Sequence, residues 1–360
     1  MISPALVRIA LTLLGALLAA EICVRLHTPI PWMLGPLLFS ALASIAGLPT
    51  QSSGQLRNFG QWIIGAALGL YFTPQVGTLV LTLWWAIALG IIWALALGWG
   101  FGLWLQRRHQ ADLGHLGSRR LRATSYFAGA IGGASEMTLL AERTGARTDL
   151  VAAAHSLRLV MVVISVPFAM QWAQSHWGLQ VDPSLRSASR AAQWPGLLWL
   201  ALISLAGVGL MVRLRRTNPW FMGSLVATML ISLAGITWSA IPTVLSNAAQ
   251  LFIGVSLGVR FQREFLHTAP RWLSSVAMGT AGMLLISALF GWAMAELVDQ
   301  HPATLILGTS PGGIAEMAIT AKVLQLGVPV VTAFQVCRLV AVLMLVAPIF
   351  DWLERKGRLA

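Results

Sequence analysis

The chain has 360 residues, of which 57% are hydrophobic and only 10% charged, and its formal net charge is +12. A soluble domain carries about a quarter charged residues, so this composition excludes an ordinary soluble protein. Apolar runs such as 76–105, 151–172 and 272–297 reach the ~20 residues that a helix needs to cross a bilayer. Because backbone at membrane depth must satisfy its own hydrogen bonds, the predicted fold class is an all-α integral membrane protein.

The first apolar segment, 6–26, has an early arginine as a signal peptide does. Glu21 and Arg25 close this segment and no clean cleavage site follows, which favours a retained first span. Cys23 and Cys337 both lie in apolar runs without partner spacing. They are interpreted as small core residues rather than as a disulfide or a metal site.

Four sequence blocks occur twice in the same order, which indicates an internal duplication. One of them is the motif Gly-Gly-x-x-Glu-Met, and an Arg-Leu-Val triplet follows each copy of it at the same spacing. The predicted repeats are residues 1–190 and 191–360. The matching blocks are 31–35 with 219–223, 61–69 with 250–258, 132–137 with 312–317, and 158–160 with 338–340.

The charges of equivalent loops indicate that the two repeats have opposite orientations. Loop 107–122 is basic, whereas its counterpart 299–303 has no Lys or Arg. One loop earlier the order is reversed, since 72–75 is uncharged and 260–271 is basic. Lys and Arg accumulate in cytoplasmic loops, so equivalent loops lie on opposite sides. This pattern predicts inverted-topology repeats with an odd number of crossings each.

A model with about ten transmembrane helices fits this charge distribution, with both termini cytoplasmic in a bacterial inner membrane. Two non-crossing or re-entrant segments, 124–146 and 304–326, contain the Gly-Gly pairs. Most Lys and Arg then lie inside, so topology explains the net charge and a nucleic-acid partner is not expected. The predicted spans are 5–25, 32–48, 56–72, 76–105, 148–172, 195–213, 219–236, 243–260, 272–298 and 328–352.

The Gly-Gly segments are too polar and too interrupted for ordinary lipid-facing spans. Irregular backbone at membrane depth is tolerated only where it is buried in protein or lines an aqueous cavity. In the second copy, Thr309 or Ser310 is predicted to cap a new helix that has Pro311 in its first turn. The free amides of such a helix start would attract anions.

Ionisable groups are costly within a membrane, and so Glu136, Glu316, Arg158 and Arg338 are candidate site residues. In a structural interpretation each glutamate pairs with an arginine and ties the repeats together. In a functional interpretation the carboxylates bind a coupling proton or cation, and the arginines hold an anionic solute by forked hydrogen bonds. The two interpretations are compatible, because a carrier can exchange an internal salt bridge for substrate.

His155 precedes Arg158 by one helical turn, and Gln335 precedes Arg338 in the same way. His155 is interpreted either as a hydrogen-bonded core residue or as part of a proton relay. The complete set of predicted binding residues is Gly132, Gly133, Ser135, Glu136, His155, Arg158, Thr309, Ser310, Gly312, Gly313, Glu316, Gln335 and Arg338.

The doubled Gly-Gly-x-x-Glu-Met motif, the Arg-Leu-Val triplets and the Pro-Trp-x-x-Gly at the opening of each half resemble the duplicated bacterial membrane family AbrB, sometimes labelled ammonia monooxygenase. The resemblance covers nearly the whole chain. It implies an inner-membrane protein of the transporter type, and it does not extend to the small DNA-binding regulator of the same name. The architecture is also similar to that of carboxylate carriers with two inverted five-span halves, as an analogy of fold alone.

We expect a secondary transporter of a small, anionic, carboxylate-like solute coupled to H⁺ or Na⁺, without a cofactor or metal. The partners expected are that solute, the lipid bilayer and a second copy in a homodimer. The alternatives are a membrane sensor or regulator that binds a solute without moving it, and a channel, which broken inverted elements disfavour. An enzyme is not expected, because a copper monooxygenase needs clustered imidazoles and the seven histidines are dispersed.

Overall fold

The computed structural model describes residues 4–113, 117–177, 192–216, 218–236, 238–261 and 269–355, and the regular elements in these ranges are helices. The predicted repeat boundary at 190 and 191 and much of the basic loop 260–271 lie outside the described residues. In chain order the helices are α1 (Pro4–Arg25), α2 (Pro31–Ile45), α3 (Gly54–Gly69), α4 (Pro74–Thr82), α5 (Trp84–Leu113), α6 (Ser118–Gly129), α7 (Ala134–Arg143), α8 (Thr148–Trp177), α9 (Trp194–Arg213), α10 (Pro219–Leu233), α11 (Thr243–Gly258), α12 (Pro270–Val298), α13 (Pro302–Thr309), α14 (Ile314–Val323) and α15 (Val328–Arg355).

Several helices are long and apolar enough to cross a bilayer. Among the described residues there are six of them, namely α1, α5, α8, α9, α12 and α15. The pair formed by α3 and α4 adds a seventh if it is counted as one span bent by 87°. The chain is therefore an all-helical, multi-pass membrane protein.

The remaining predicted spans correspond to shorter helices. Helices α2 and α10 have 15 residues each, and α3 and α11 have 16. At ~1.5 Å per residue such a helix is roughly 24 Å long, which is less than the ~30 Å hydrocarbon core. The count of ten transmembrane helices stays a prediction.

The single predicted span 76–105 is wrong. The structure divides this run into α4, which ends at Thr82, and α5, which begins at Trp84. No glycine or proline stands at the break, and the intervening Leu83 is buried. Tertiary packing therefore decides the break, because local propensity would continue the helix.

The helices form two compact units, and each unit takes segments from both halves of the sequence. Unit 1 comprises Met1–Thr82, Pro167–Arg263 and Ala318–Pro329, and unit 2 comprises Leu83–Val166, Glu264–Met317 and Val330–Ala360. The chain passes from one unit to the other at the break between α4 and α5, and again at Pro167 inside α8.

In unit 1, equivalent glycines of the two sequence repeats contact equivalent backbone of the opposite repeat. A Cβ on Gly69 would lie 2.6 Å from the Leu225 oxygen, and a Cβ on Gly258 would lie 2.6 Å from the Leu37 oxygen. Gly69 and Gly258 are matched positions of the repeat, as are Leu37 and Leu225. Such reciprocal contacts are what a two-fold relation between two similar elements produces.

In unit 2, glycines let the short half-helices approach the long helices closely. Helix α6 lies against α5, where a Cβ on Gly129 would be 2.6 Å from the backbone nitrogen of Gly102. Helix α13 lies against α12, where a Cβ on Gly291 would be 2.7 Å from Ile306 Cα. Small residues at helix interfaces permit this backbone approach in membranes. The long helices thereby position the carboxyl ends of α6 and α13.

The close approach at Gly69 predicts a stability difference between two glycine substitutions. Gly69→Ala would press a methyl group against the backbone of α10, and we expect a loss of about 1–3 kcal/mol. Gly209→Ala is the matched control, because a Cβ there meets nothing within 4 Å. The control should be neutral or stabilising by about 0.4–1 kcal/mol. Thermal unfolding of both variants in the same detergent measures the difference, and equal stabilities would contradict the packing described.

Candidate functional site

Both Gly-Gly segments are broken helices. The first is interrupted between Gly129 and Ala134, and the second between Thr309 and Ile314. The residues that follow the first half-helices, Ala130 and Ser310, have extended backbone with ψ of 139° and 143°. The predicted interruptions at the Gly-Gly pairs are therefore confirmed. We call residues 130–133 break 1 and residues 310–313 break 2.

The predicted cap of a new helix by Thr309 or Ser310 is wrong. Thr309 Oγ1 donates to the Leu305 oxygen at 2.8 Å, and Ser310 Oγ donates to the Ile306 oxygen at 2.6 Å. Both hydroxyls therefore close α13 instead of opening α14. Proline pushes the residue before it into extended backbone, so Pro311 ends one helix and the next begins only after the glycines.

The glutamate of each motif folds back over the second glycine. A Cβ on Gly133 would lie 2.9 Å from Glu136 Cδ, and a Cβ on Gly313 would lie 2.9 Å from Glu316 Cδ. Each glutamate is the third residue of its helix, the position from which an acidic side chain turns back to the helix start. A carboxylate there is also stabilised by the helix dipole. The spacing Gly-x-x-Glu is thus explained by how α7 and α14 begin.

The first glycine of each motif packs against the methionine. A Cβ on Gly132 would lie 2.7 Å from Met137 Cε, and a Cβ on Gly312 would lie 2.9 Å from Met317 Cε. Both methionine side chains are completely buried. At break 2 the glycine also faces Val162 Cγ1 of α8, at 2.9 Å from the same hypothetical Cβ. Every fixed position of the motif therefore has a packing or capping role.

Arg158 binds the carboxyl end of α6. Its Nη1 donates to the Ala128 and Gly129 oxygens at 3.3 and 3.2 Å, and its Nη2 donates to the Ala130 oxygen at 2.7 Å. The same Nη2 lies 2.7 Å from His155 Nδ1, and His155 Nε2 lies 2.9 Å from the Phe127 oxygen. The guanidinium and the imidazole together satisfy the last carbonyls of this half-helix.

Arg338 repeats this arrangement at the second half-helix. Its Nη1 donates to the Ser310 oxygen, and its Nη2 donates to the Gly312 oxygen at 2.5 Å and to Gln335 Oε1 at 2.6 Å. Gln335 Nε2 donates in turn to the Leu307 oxygen at 2.7 Å and to the Ser310 oxygen at 3.2 Å. The four side chains of the two networks, namely His155, Arg158, Gln335 and Arg338, are 0 to 6% exposed.

The two arginines leave an electrostatic imbalance in unit 2. Arg158 and Arg338 are close enough for their positive charges to repel each other. Arg338 Nε is buried and has no hydrogen-bond partner among the described residues. An anion beside these two buried guanidinium groups would therefore be stabilised.

The predicted site residues are divided between the two breaks. Gly132, Gly133, Glu136, His155 and Arg158 lie at break 1, and Gly312, Gly313, Glu316, Gln335 and Arg338 lie at break 2. Ser135 is the second residue of α7, and its side chain lies outside what the structure describes. Thr309 and Ser310 belong to the end of α13. Within the described ranges, no three His, Cys, Asp or Glu residues are grouped as a metal site requires.

Sequence reasoning missed an apolar cavity of about 290 Å³ in unit 2, between α5, α6 and α15. It reaches break 1 at Ala130 and Ile131, and its other walls include Gly98, Trp99 and Tyr126. Such walls accept a hydrocarbon group rather than a charged one.

The backbone carbonyls that bind the arginines were also missed, although an intramembrane arginine near a Gly-rich helix end is a signal for them.

Comparisons with known proteins agree on one family. A family described as "Transition state regulatory protein AbrB" matches residues 32–354. A Bacillus subtilis protein named "Uncharacterized protein YhjN" is 26% identical over 345 residues, which cover 90% of this chain and 88% of the relative. An Escherichia coli K12 protein named "Putative regulator AbrB" is 24% identical over 325 residues, which cover 88% of each chain.

The contact between Gly133 and Glu136 predicts a non-additive pair of substitutions. Gly133→Ala should destabilise the protein by about 1–3 kcal/mol, because its methyl group would displace the carboxylate. In a Glu136→Ala background the same change should cost less, giving a coupling of about 1 kcal/mol or more. Thermal unfolding of the four members of this cycle measures the coupling, with Gly100→Ala as control because its Cβ would meet open space. Additive effects would show that the carboxylate does not lie over the glycine.

Proposed function

The chain belongs to the AbrB family, and we propose that it is a secondary transporter of a small, anionic, carboxylate-like organic solute coupled to H⁺ or Na⁺. The observation that carries this proposal is the burial of two like-charged groups, Arg158 and Arg338, in unit 2. Their charges repel each other, and Arg338 Nε has no partner among the described residues. A carboxylate accepts forked hydrogen bonds from guanidinium groups, so it would relieve the repulsion and satisfy Nε.

The broken helices support transport over static binding. Non-helical backbone at membrane depth is typical of carriers, whose sites are formed by discontinuous helices. The reciprocal contacts of Gly69 and Gly258 support a two-fold relation between the repeats. Together with the opposite charges of equivalent loops, they favour inverted repeats and alternating access. Residues 128–133 and 308–313 would then be the elements that move around the solute.

The orientation in the membrane is part of the proposal. Lys and Arg concentrate in loops that an inner-membrane model with both termini in the cytoplasm puts on the inside. We propose the lipid bilayer and a small-molecule solute as partners, and a homodimer as the assembly. Neither a resident cofactor nor an enzymatic reaction is part of this proposal, since the family description and the names of the relatives mention none.

A second candidate function is a membrane-embedded regulator that binds the same solute without moving it. The name of the Escherichia coli relative, which describes it as a regulator, favours this candidate. Both functions use the same anion site. Uptake into proteoliposomes separates them, because a regulator would bind the solute without accumulating it.

The anion site predicts which arginines a carboxylate requires. In a thermal-shift screen of small carboxylates, amino acids and amines, with and without sodium, we expect carboxylates to stabilise the purified protein. Arg338→Lys should reduce that shift, because an ammonium group lacks the forked donors. Arg271→Lys is the control, since the exposed side chain of this arginine donates to Asp112 at 3.3 Å and lies outside both breaks.

Three further variants check the remaining candidates. Arg158→Lys should weaken carboxylate binding as Arg338→Lys does, whereas Glu136→Gln and Glu316→Gln should alter the coupling to H⁺ or Na⁺ if the glutamates bind the ion. Unfolding temperatures without solute show whether each variant is folded. Carboxylate shifts of wild-type size in folded Arg158→Lys and Arg338→Lys would refute the anion site, and stabilisation by amines alone would refute the solute class.

A further inference from the structure

The hydrogen bonds of His155 determine where its proton lies. Arginine has donors and no acceptor, so His155 Nδ1 must accept the bond from Arg158 Nη2 at 2.7 Å. A carbonyl oxygen only accepts, so His155 Nε2 must carry the hydrogen that it donates to the Phe127 oxygen at 2.9 Å. The ring is 3% exposed. In this structure His155 is therefore a neutral imidazole with its hydrogen on Nε2.

Protonation of His155 would open this bond. A proton on Nδ1 occupies the lone pair that Arg158 uses, and it brings two cations to hydrogen-bond distance. Arg158 is the charged group that acts on the ring. From α6, Tyr126 directs its hydroxyl to the Val346 oxygen at 2.9 Å, and Phe127 contributes its carbonyl. Arg338 acts on Arg158 and adds to the same positive field.

The second half has the same arrangement without a titratable group. Gln335 Oε1 accepts from Arg338 Nη2 at 2.6 Å, and Gln335 Nε2 donates to the Leu307 oxygen at 2.7 Å. An amide matches the acceptor and donor pattern of the neutral imidazole. An amide does not take up a proton near neutral pH. Each arginine thus donates to a side-chain acceptor three residues before it. Only the acceptor in the first half, His155, can take up a proton.

We propose that His155 binds the coupling proton and that its protonation breaks the hydrogen bond between His155 and Arg158, which weakens the attachment of Arg158 at break 1. This inference rests on the proposed function, and it assigns the coupling ion to a proton and its site to one side chain. In the step, a proton from water binds the Nδ1 lone pair and the Arg158–His155 hydrogen bond breaks. An anion beside the two arginines offsets the added positive charge, so anion and proton each favour the binding of the other.

The glutamates are the other candidates for the coupling ion, and their geometry argues against them. Their carboxylates lie over Gly133 and Gly313 at the starts of α7 and α14, where a glutamate at the third helical position caps its own helix. His155 instead loses a specific bond when it gains a proton. Its replacement by glutamine should leave the fold intact, because Gln335 already fulfils the same role in the other half.

The test is a nitrogen NMR titration of histidine-labelled protein in lipid nanodiscs, with succinate as the probe anion and chloride as the reference. We expect a signal for a neutral ring with its hydrogen on Nε2 that disappears in His155→Gln. Acidification across the pH range in which the protein stays folded should protonate it, and succinate should move this transition to higher pH. Succinate affinity should rise as the pH falls, by at most about tenfold per pH unit for one linked proton.

Two variants separate the coupling role from a structural one. His155→Gln should bind succinate with an affinity that no longer follows pH in this range. Gln335→His in that background should restore a pH dependence, because it transfers the titratable group to the equivalent position.

Four outcomes would count against the proposal or against the solute class on which it rests. A hydrogen on Nδ1, or a ring that stays neutral with and without succinate, would overturn the proposal, as would an unchanged pH dependence of succinate binding in His155→Gln. If the ring protonates and succinate affects neither the spectrum nor the stability, the proton site stands and the carboxylate-like solute fails.

Discussion

The hydrogen bonds from two buried arginines to backbone carbonyls are the interaction on which this structure depends. A helix that ends at membrane depth leaves carbonyls without partners, and each unsatisfied polar group there costs several kcal/mol. Arg158 binds three such oxygens at the end of α6, and Arg338 binds two at the end of α13 and in break 2. A guanidinium group suits this role because its donors are fixed in a plane and remain charged when buried. Without them, residues 130–133 and 310–313 could not remain non-helical, and no site could form there.

Each broken helix neutralises both of its internal ends. The arginine meets the negative carboxyl end of the first half-helix, and the glutamate lies at the positive start of the second. An ionisable residue in a membrane segment is therefore not proof of a ligand, because four of them serve the backbone here. The feature that points to a ligand is the positive charge of the two arginines. The arginines repel each other and Arg338 Nε finds no acceptor in the described part of the chain, whereas the glutamates are placed where their own helices stabilise them.

Composition and repeats predict much of this architecture. The predicted spans 5–25 and 195–213 agree with α1 and α9 within a residue, and glycine and proline locate both breaks. These features follow from local rules of hydropathy and backbone freedom. The break at Leu83 does not, because no residue there disfavours a helix and only packing sets it. The position of the arginines could not be predicted either, since an intramembrane arginine can bind a carboxylate or a carbonyl, and the sequence does not distinguish these partners. The short contact between each glutamate and the glycine three residues before it was not predicted either, because the glutamates were expected to pair with arginines that are distant in sequence.

In the proposed mechanism, the difference between His155 and Gln335 makes the two repeats respond differently to protons. Two identical halves in a two-fold arrangement would respond identically to protons and would offer no asymmetry between the two sides of a membrane. Gln335 accepts the hydrogen bond from Arg338 at every pH, whereas His155 accepts the one from Arg158 only while its ring is neutral. In the proposed mechanism the first broken helix therefore changes its contacts when a proton binds, and the second broken helix keeps its contacts. Because the anion and the proton favour each other's binding through Arg158, the half that senses protons also senses the solute. Coupling then needs no second ionisable site, because a proton and the Arg158 guanidinium group compete for the same lone pair of His155.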